Sequence, residues 1–267
     1  MLKDEQDPLS PRKIIGVYDP LSAMAAEAMG ADALWFSSYS YSVSQGVPDL
    51  GLLPISSEQT GLLRISSAVN IPVYVDIDNG FGSAEHALEI SKRARDAGAA
   101  GICIEDKMSP KLSSLYGGEQ TLLSTAHYSQ IIETIKREVD GIEVWARIEG
   151  LNHNEPVMEV REKLRHCHLV GADCVIVHDT KPTIDNLLAV IEGHGKIKLG
   201  IIPTTYISKL ADIARYDIYA IVFANQLIRS VYKTLLSTSQ VLLSEPTLVD
   251  ETISSVEDIN RVIRHGL

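Results

Sequence analysis

Basic residues are in short supply: 24 Lys and Arg stand against 35 Asp and Glu, a formal net charge of -11 at pH 7. Such a surface argues against a nucleic-acid or anionic-membrane partner, since both need a basic face. A small anionic substrate is compatible with it, because one site can be positive on an acidic protein. Cysteine is scarce as well. The three present, Cys103, Cys167 and Cys174, form no paired framework, which fits a reducing cytoplasm. Long apolar runs are missing: none reaches the ~18–20 residues of a membrane span. The opening stretch, MLKDEQDPLSPR, is polar and lacks the apolar core of a signal peptide. The expectation is a cytoplasmic protein with neither membrane nor nucleic acid as partner.

What is present is ample core material. Hydrophobic residues make up 45% of the 267, a length that suits one α/β barrel or two smaller domains. Short runs rich in Val, Ile and aromatics recur at Ile14–Tyr18, Ala33–Ser37, Ile71–Asp76, Gly101–Glu105, Ile142–Ile148, Asp173–His178, Ile197–Ile202 and Tyr219–Ala224. They are mostly apolar on both faces, as strands of a helix-covered parallel sheet are. Helical patterns lie between them, among them Ala84–Ala97, Ala126–Val139, Val157–Val170 and Thr183–Glu192. The phrases Gly30-Ala31-Asp32, Gly98-Ala99-Ala100 and Gly171-Ala172-Asp173 mark a repeated helix-to-strand turn. Eight strands alternating with helices predict a single (β/α)₈ TIM-type barrel over residues 1–267; an open doubly wound sheet is the runner-up. Trp35 and Trp145 fall inside strand patterns and read as core.

Two stretches depart from the plain alternation, Ser38–Ser57 after the second strand and Asp106–Gln120 after the fourth. Both read as long loops, and loops after strands build barrel active sites. Two further helical patterns, Val231–Leu243 and Ser254–Arg264, exceed what eight repeats need and are expected to pack on a partner subunit or cap the barrel.

Charged residues cluster where the strands end. Asp76 and Asp78 close the third strand, Glu105 and Asp106 the fourth, Arg147 and Glu149 the fifth, and His178 and Asp179 the sixth; Asp49 follows the second. One such acid alone serves as a helix cap or turn about as often as not. Acids on two adjacent strands, with Arg and His on the next two, point to a site. Clustered carboxylates repel and raise one another's pKa unless a cation compensates. Asp49, Asp76, Asp78 and Glu105 are hard oxygen donors that suit Mg²⁺ or Mn²⁺ and not Zn²⁺. Arg147 and His178 would face an anionic substrate, since Arg grips carboxylate or phosphate with two parallel bonds. Lys111 could reach the same charge when its loop closes. A soft-metal reading of His166, Cys167, His168 and Cys174 is weak, because adjacent helical residues point in different directions. Gly193-His194-Gly195-Lys196 lacks P-loop spacing and reads as a turn. Gly80 and Gly82 suit either a tight turn beside the acids or a plain loop.

Taken together, several segments resemble the phosphoenolpyruvate mutase and isocitrate lyase superfamily. Tyr18-Asp19-Pro20-Leu21-Ser22-Ala23 is similar to its YDALSA phrase, and VDIDNGFG (75–82) to its D-x-D-x-G-[YF]-G metal motif. EDKMSPKLSS (105–114) is similar to its E-D-K-x-x-P-K segment. WARIE, HDTK, IPTTY and FANQLIR match further segments, so the likeness runs to about Arg264. The resemblance implies a homotetramer, a dimer of dimers, with a C-terminal helix exchanged between subunits. It implies Asp76 as the main metal ligand, with Asp49, Asp78 and Glu105 acting largely through water. It places Ser37, Ser38 and Tyr39 where backbone amides hold a substrate carboxylate, and Arg147 and His178 on phosphoryl or carboxylate groups. Lys111, Ser113 and Ser114 fall on a gating loop, and Asp49 near the reacting atoms.

The departures narrow the branch. Carbon–carbon lyases of the superfamily carry a loop Cys in K-x-C-G-H; here the segment is Lys111-Leu112-Ser113-Ser114, which disfavours that chemistry. Mutases resembled here carry Asn-Ser on the loop, and related phosphonopyruvate hydrolases carry Thr. Ser113 therefore leaves mutase and hydrolase both open, with the mutase favoured. A barrel that has lost catalysis is the reading from another class, and the intact charged set counts against it.

Overall fold

The computed structural model describes residues 10–112, 120–251 and 253–265. Eight parallel strands close into a barrel in sequential order. They are β1 (Arg12–Val17), β2 (Ala33–Phe36), β3 (Val73–Asp76), β4 (Gly101–Glu105), β5 (Glu143–Ile148), β6 (Cys174–Val177), β7 (Leu199–Ile201) and β8 (Ala220–Phe223). Closure comes from β1 pairing with β8 in the register Arg12 to Ala220 and Ile14 to Val222. Each predicted run overlaps one strand, β1 beginning two residues ahead of its run at Arg12, and the open sheet is excluded.

The strands read as apolar on both faces because the barrel has two cores. Leu34, Phe36, Val144 and Ala146 pack outward against helices. Their neighbours Trp35 and Trp145 point inward, with Ile14, Tyr74, Cys103, Cys174 and Val222. Both Trp residues are fully buried, as expected. Tyr74 and Trp145 rings lie 4.3 Å apart. Beneath them the Arg12 guanidinium donates to the hydroxyls of Tyr74 (3.2 Å) and Tyr219 (3.0 Å). This end of the barrel is sealed by side chains, so the opposite, carboxyl-terminal end carries the opening.

Helices α1 (Pro20–Ala28), α2 (Ser38–Ser44), α3 (Ile55–Ser66), α4 (Ala84–Asp96), α5 (Thr125–Glu138), α6 (Val157–Leu169), α7 (Asp185–Ile191) and α8 (Leu210–Ile213) lie between strands, with α9 (Gln226–Ser244) and α10 (Val256–His265) after β8. Gly30, Gly98 and Gly171 all take positive φ at the predicted helix-to-strand turns. The predicted loop 38–57 is wrong at both ends: α2 opens it and α3 begins at Ile55. Serine is a poor helix former and hid α2. Ser37 supplies the cap, its hydroxyl accepting from the Ser40 amide at 3.1 Å, and Tyr41 anchors the turn on Phe36, rings 5.0 Å apart. The two extra C-terminal helices are present. Helix α9 exposes Tyr232, Leu235, Leu236 and Leu243, and α10 lies against α1 of its own barrel. Among the described residues no helix is long and apolar enough to cross a membrane.

Candidate active site

The third strand ends in a tight left-handed turn in which two positions have no room for a side chain. Asp78, Gly80, Phe81 and Gly82 all take positive φ, between 52° and 87°. A Cβ on Gly80 would sit 2.5 Å from the Ala87 Cβ, and one on Gly82 would sit 2.4 Å from the Ser109 hydroxyl. Of the two roles open for these glycines, the tight turn is the one observed. Asn79 fastens it, accepting from the Phe81 amide (3.1 Å) and donating to Ser109 (3.1 Å). The turn folds Asp78 back so that its amide donates to Asp76 Oδ1 at 3.2 Å. Both acids thus sit at the open end of the barrel.

Two protein cations organise the carboxylates. Lys111 Nζ lies 2.8 Å from Asp49 Oδ1 and 2.6 Å from Asp78 Oδ1, with all three side chains buried. Arg147 NH1 lies 2.9 Å from Asp76 Oδ2, its NH2 bonds Glu105 Oε2, and its Nε lies 2.9 Å from Glu149 Oε1. Lys111 was expected to reach the substrate's charge when its loop closes; here its ammonium is seated between two acids. The charge logic explains this, since buried carboxylates need a compensating cation. Burial pushes Asp49 up, with Lys111 opposing. For Asp78 burial acts upward too, but Lys111 and Arg147 outweigh it and hold the carboxyl below its usual value. Lys111 and Arg147 are held protonated despite burial by the acids around them.

These groups face one cavity at the barrel mouth. Ser37, Ser38, Tyr39, Asp49, Asp76, Lys111, Arg147 and His178 line it, all expected from the sequence. Asp78 and Glu105 stand behind, tied to it through Lys111 and Arg147. The Ser37 amide already donates to the Val17 carbonyl at 3.2 Å, so its backbone serves the barrel. Ser38 turns its hydroxyl toward Asp76, 3.4 Å away. Ser113 and Ser114 lie outside the described residues. His178 Nδ1 donates to Glu149 Oε1 over 2.8 Å, and its Nε2 is buried with no hydrogen-bond partner among the described residues.

The sequence reading missed the rest of the lining. Lys107 is almost fully buried with Nζ 3.5 Å from Glu105, and Ile202, Thr204, Ala224 and Asn225 complete the wall from beyond β7 and β8. The signal was available: all four follow strand ends, in the IPTTY and FANQLIR segments. The soft-metal alternative fails, since Cys167 is buried on α6 while His166 and His168 face outward and Cys174 lies inside the barrel. Among the described residues, no three acid, imidazole or thiol groups converge closely enough to cage a metal unaided. A second, smaller cavity lies behind Ser38 and Asp76; Phe36, Tyr41, Leu62 and Glu58 line it. Burial, and then Asp78, pushes Glu58 up to about 8.

A parallel barrel with buried acids and cations gathered at its carboxyl-terminal mouth defines the α/β-barrel enzymes. Comparison with known proteins narrows the class. A sequence model described as phosphoenolpyruvate phosphomutase matches residues 2–243. The phosphoenolpyruvate phosphomutase of Streptomyces hygroscopicus is 31% identical over 252 residues, covering 92% of this chain and 79% of its own. The crystal structure of phosphoenolpyruvate phosphomutase from Streptomyces platensis subsp. rosaceus superposes with a TM-score of 0.91 at 28% identity, covering 97% of this chain and 92% of that one. A phosphonopyruvate hydrolase structure, a complex with oxalate and Mg²⁺, gives 0.88 at 27% with the same coverage. The chain belongs to the phosphoenolpyruvate phosphomutase family.

Proposed function

We propose that this enzyme is a phosphoenolpyruvate mutase. It interconverts phosphoenolpyruvate and phosphonopyruvate, moving a phosphoryl group between oxygen and carbon and forming the C–P bond of phosphonate biosynthesis. The observation that carries the proposal is the pairing within one small cavity of an anion clamp, Arg147 with His178, and a set of carboxylates. A substrate that is at once a polyanion and a metal ligand matches both halves.

The acids fit Mg²⁺, with Mn²⁺ the alternative. Their donors are all hard oxygens, and Glu105 Oε1 is buried with no partner among the described residues. Magnesium takes one or two carboxylates and completes its shell with water and substrate, so no closed protein cage is required. Asp76 would hold it directly, and Asp49, Asp78 and Glu105 through water. When bound, the ion supplies positive charge to the enolate and carboxylate oxygens; the hydrolase relative's complex with oxalate and Mg²⁺ supports this. Arg147 and His178 would steady the phosphoryl group, in which charge spreads over three oxygens during transfer. Ser38 and Tyr39, beside Ser37, would receive the carboxylate. Asp49 and Lys111 would stand at the reacting atoms, with Ser113 and Ser114 closing over them. The apolar face of α9 supports assembly as a homotetramer with an exchanged C-terminal helix, and free buried cysteines support a cytoplasmic setting.

Phosphonopyruvate hydrolase is the second reading, favoured by the hydroxyl at Ser113 and by the similarity to a hydrolase structure. It differs only in letting water reach phosphorus. Incubation with phosphonopyruvate and Mg²⁺, followed by phosphorus NMR, separates the two. Phosphoenolpyruvate as product supports the mutase, phosphate with pyruvate the hydrolase, and an unchanged spectrum rejects both.

A further inference from the structure

Glu149 stands just beyond β5 with its side chain fully buried. Oε1 lies 2.8 Å from His178 Nδ1 and 2.9 Å from Arg147 Nε. Oε2 accepts from Asn152 Nδ2 at 2.7 Å, and Lys107 Nζ lies 4.0 Å away. The backbone is pinned too: the Glu149 amide donates to Asp106 Oδ1 at 2.9 Å, and Asp106 is held by Lys163 at 2.7 Å. Burial alone would raise this carboxyl, but His178 and Arg147 outweigh it and keep it ionised.

The imidazole follows from this. Glu149 Oε1, 2.8 Å away, accepts a hydrogen bond from Nδ1, so Nε2 is the ring atom left for the cavity that His178 lines. We infer that Glu149 is a positioning residue of the substrate clamp: one buried carboxylate fixes the His178 ring through Nδ1, so that Nε2 faces the cavity, and sets the Arg147 guanidinium through the contact with Nε. The inference rests on the proposed role of His178 and Arg147 in gripping the substrate's anionic group.

Nitrogen NMR of the His178 ring in metal-free, substrate-free protein tests this without any assumed substrate. In the parent, Nδ1 should carry a hydrogen-bonded proton; a ring whose Nδ1 carries none overturns the inference, whether or not any variant folds. In Glu149→Gln that Nδ1 signal should change and kcat/KM should fall roughly 10- to 100-fold with the melting temperature kept. Glu149→Asp should recover part of both. An Nδ1 signal in Glu149→Gln identical to the parent's marks a purely structural role and also overturns it. Failure of the parent to turn over either phosphonopyruvate or phosphoenolpyruvate sinks the functional proposal, while the ring spectra still decide the pairing.

Discussion

Lys111 offers the sharpest test of how the acids are held. Its ammonium lies 2.8 Å from Asp49 and 2.6 Å from Asp78, and each of the three side chains is less than a tenth exposed. Lys111→Met keeps the length of the side chain and removes its charge. Two buried carboxylates then face each other without their cation. Breaking a buried ion pair by deleting one partner costs roughly 3–5 kcal/mol, because the remaining charge stays desolvated. For a chain of this size that corresponds to a fall in melting temperature of roughly 6–20 °C. If the acids also take a divalent cation, added Mg²⁺ should raise the melting temperature of the variant more than that of the parent, since the ion replaces the lost charge. Thermal unfolding by circular dichroism, with chelator and with Mg²⁺, reads both effects. A variant melting within ~2 °C of the parent in chelator would refute the compensation argument. Equal Mg²⁺ responses would refute the idea that ion and lysine serve the same charges.

Three further outcomes follow from the geometry. Gly80→Ala puts a methyl 2.5 Å from the Ala87 Cβ at a φ of 65°; left-handed strain and overpacking together should cost roughly 2–5 kcal/mol, and a denaturant midpoint unchanged from the parent would contradict the steric account. Arg147→Lys keeps the charge but cannot span Asp76, Glu105 and Glu149 at once, so kcat/KM should fall roughly 10- to 150-fold with the fold intact; turnover at the parental rate would show that the fork is dispensable. Glu58 carries the pH prediction: its folded value, raised to about 8, exceeds an unfolded value near ~4.3. A raised acid contributes stability below its unfolded value and loses it as pH rises through the folded one. In chelator, Glu58→Gln should therefore match the parent only below the unfolded value, ~4, and become progressively more stable than it from there toward pH 8, and parallel stability–pH curves would exclude this.

The barrel was legible because its strands carry a double burden. Leu34 and Trp35, or Val144 and Trp145, are adjacent and bury opposite faces in two separate cores, so runs apolar on both sides announced helix-covered strands. Helix α2 was not legible, because SYSYSVS has the composition of a loop and becomes helical through one Ser37 cap and the packing of Tyr41. Strand-end acids could be read as a group, but not their partners. Lys111 and Asp49 are 62 positions apart, and Arg147 and Glu105 are 42 apart, so only the closed barrel brings them together. Glu149 was visible beside Arg147 at the spacing that puts two residues on one face of a strand. Its grip on His178, 29 positions on, was not.

The strut from Lys163 to Asp106 carries a consequence for protein engineering. Lys163 belongs to α6, on the outside of the barrel, yet its ammonium ends 2.7 Å from Asp106, which in turn fixes the backbone of Glu149. Repacking the buried face of α6 at Lys163 would therefore reach Glu149 without altering any residue that lines the cavity. A library that spares only the pocket but varies this inward position would still collect impaired clones from α6.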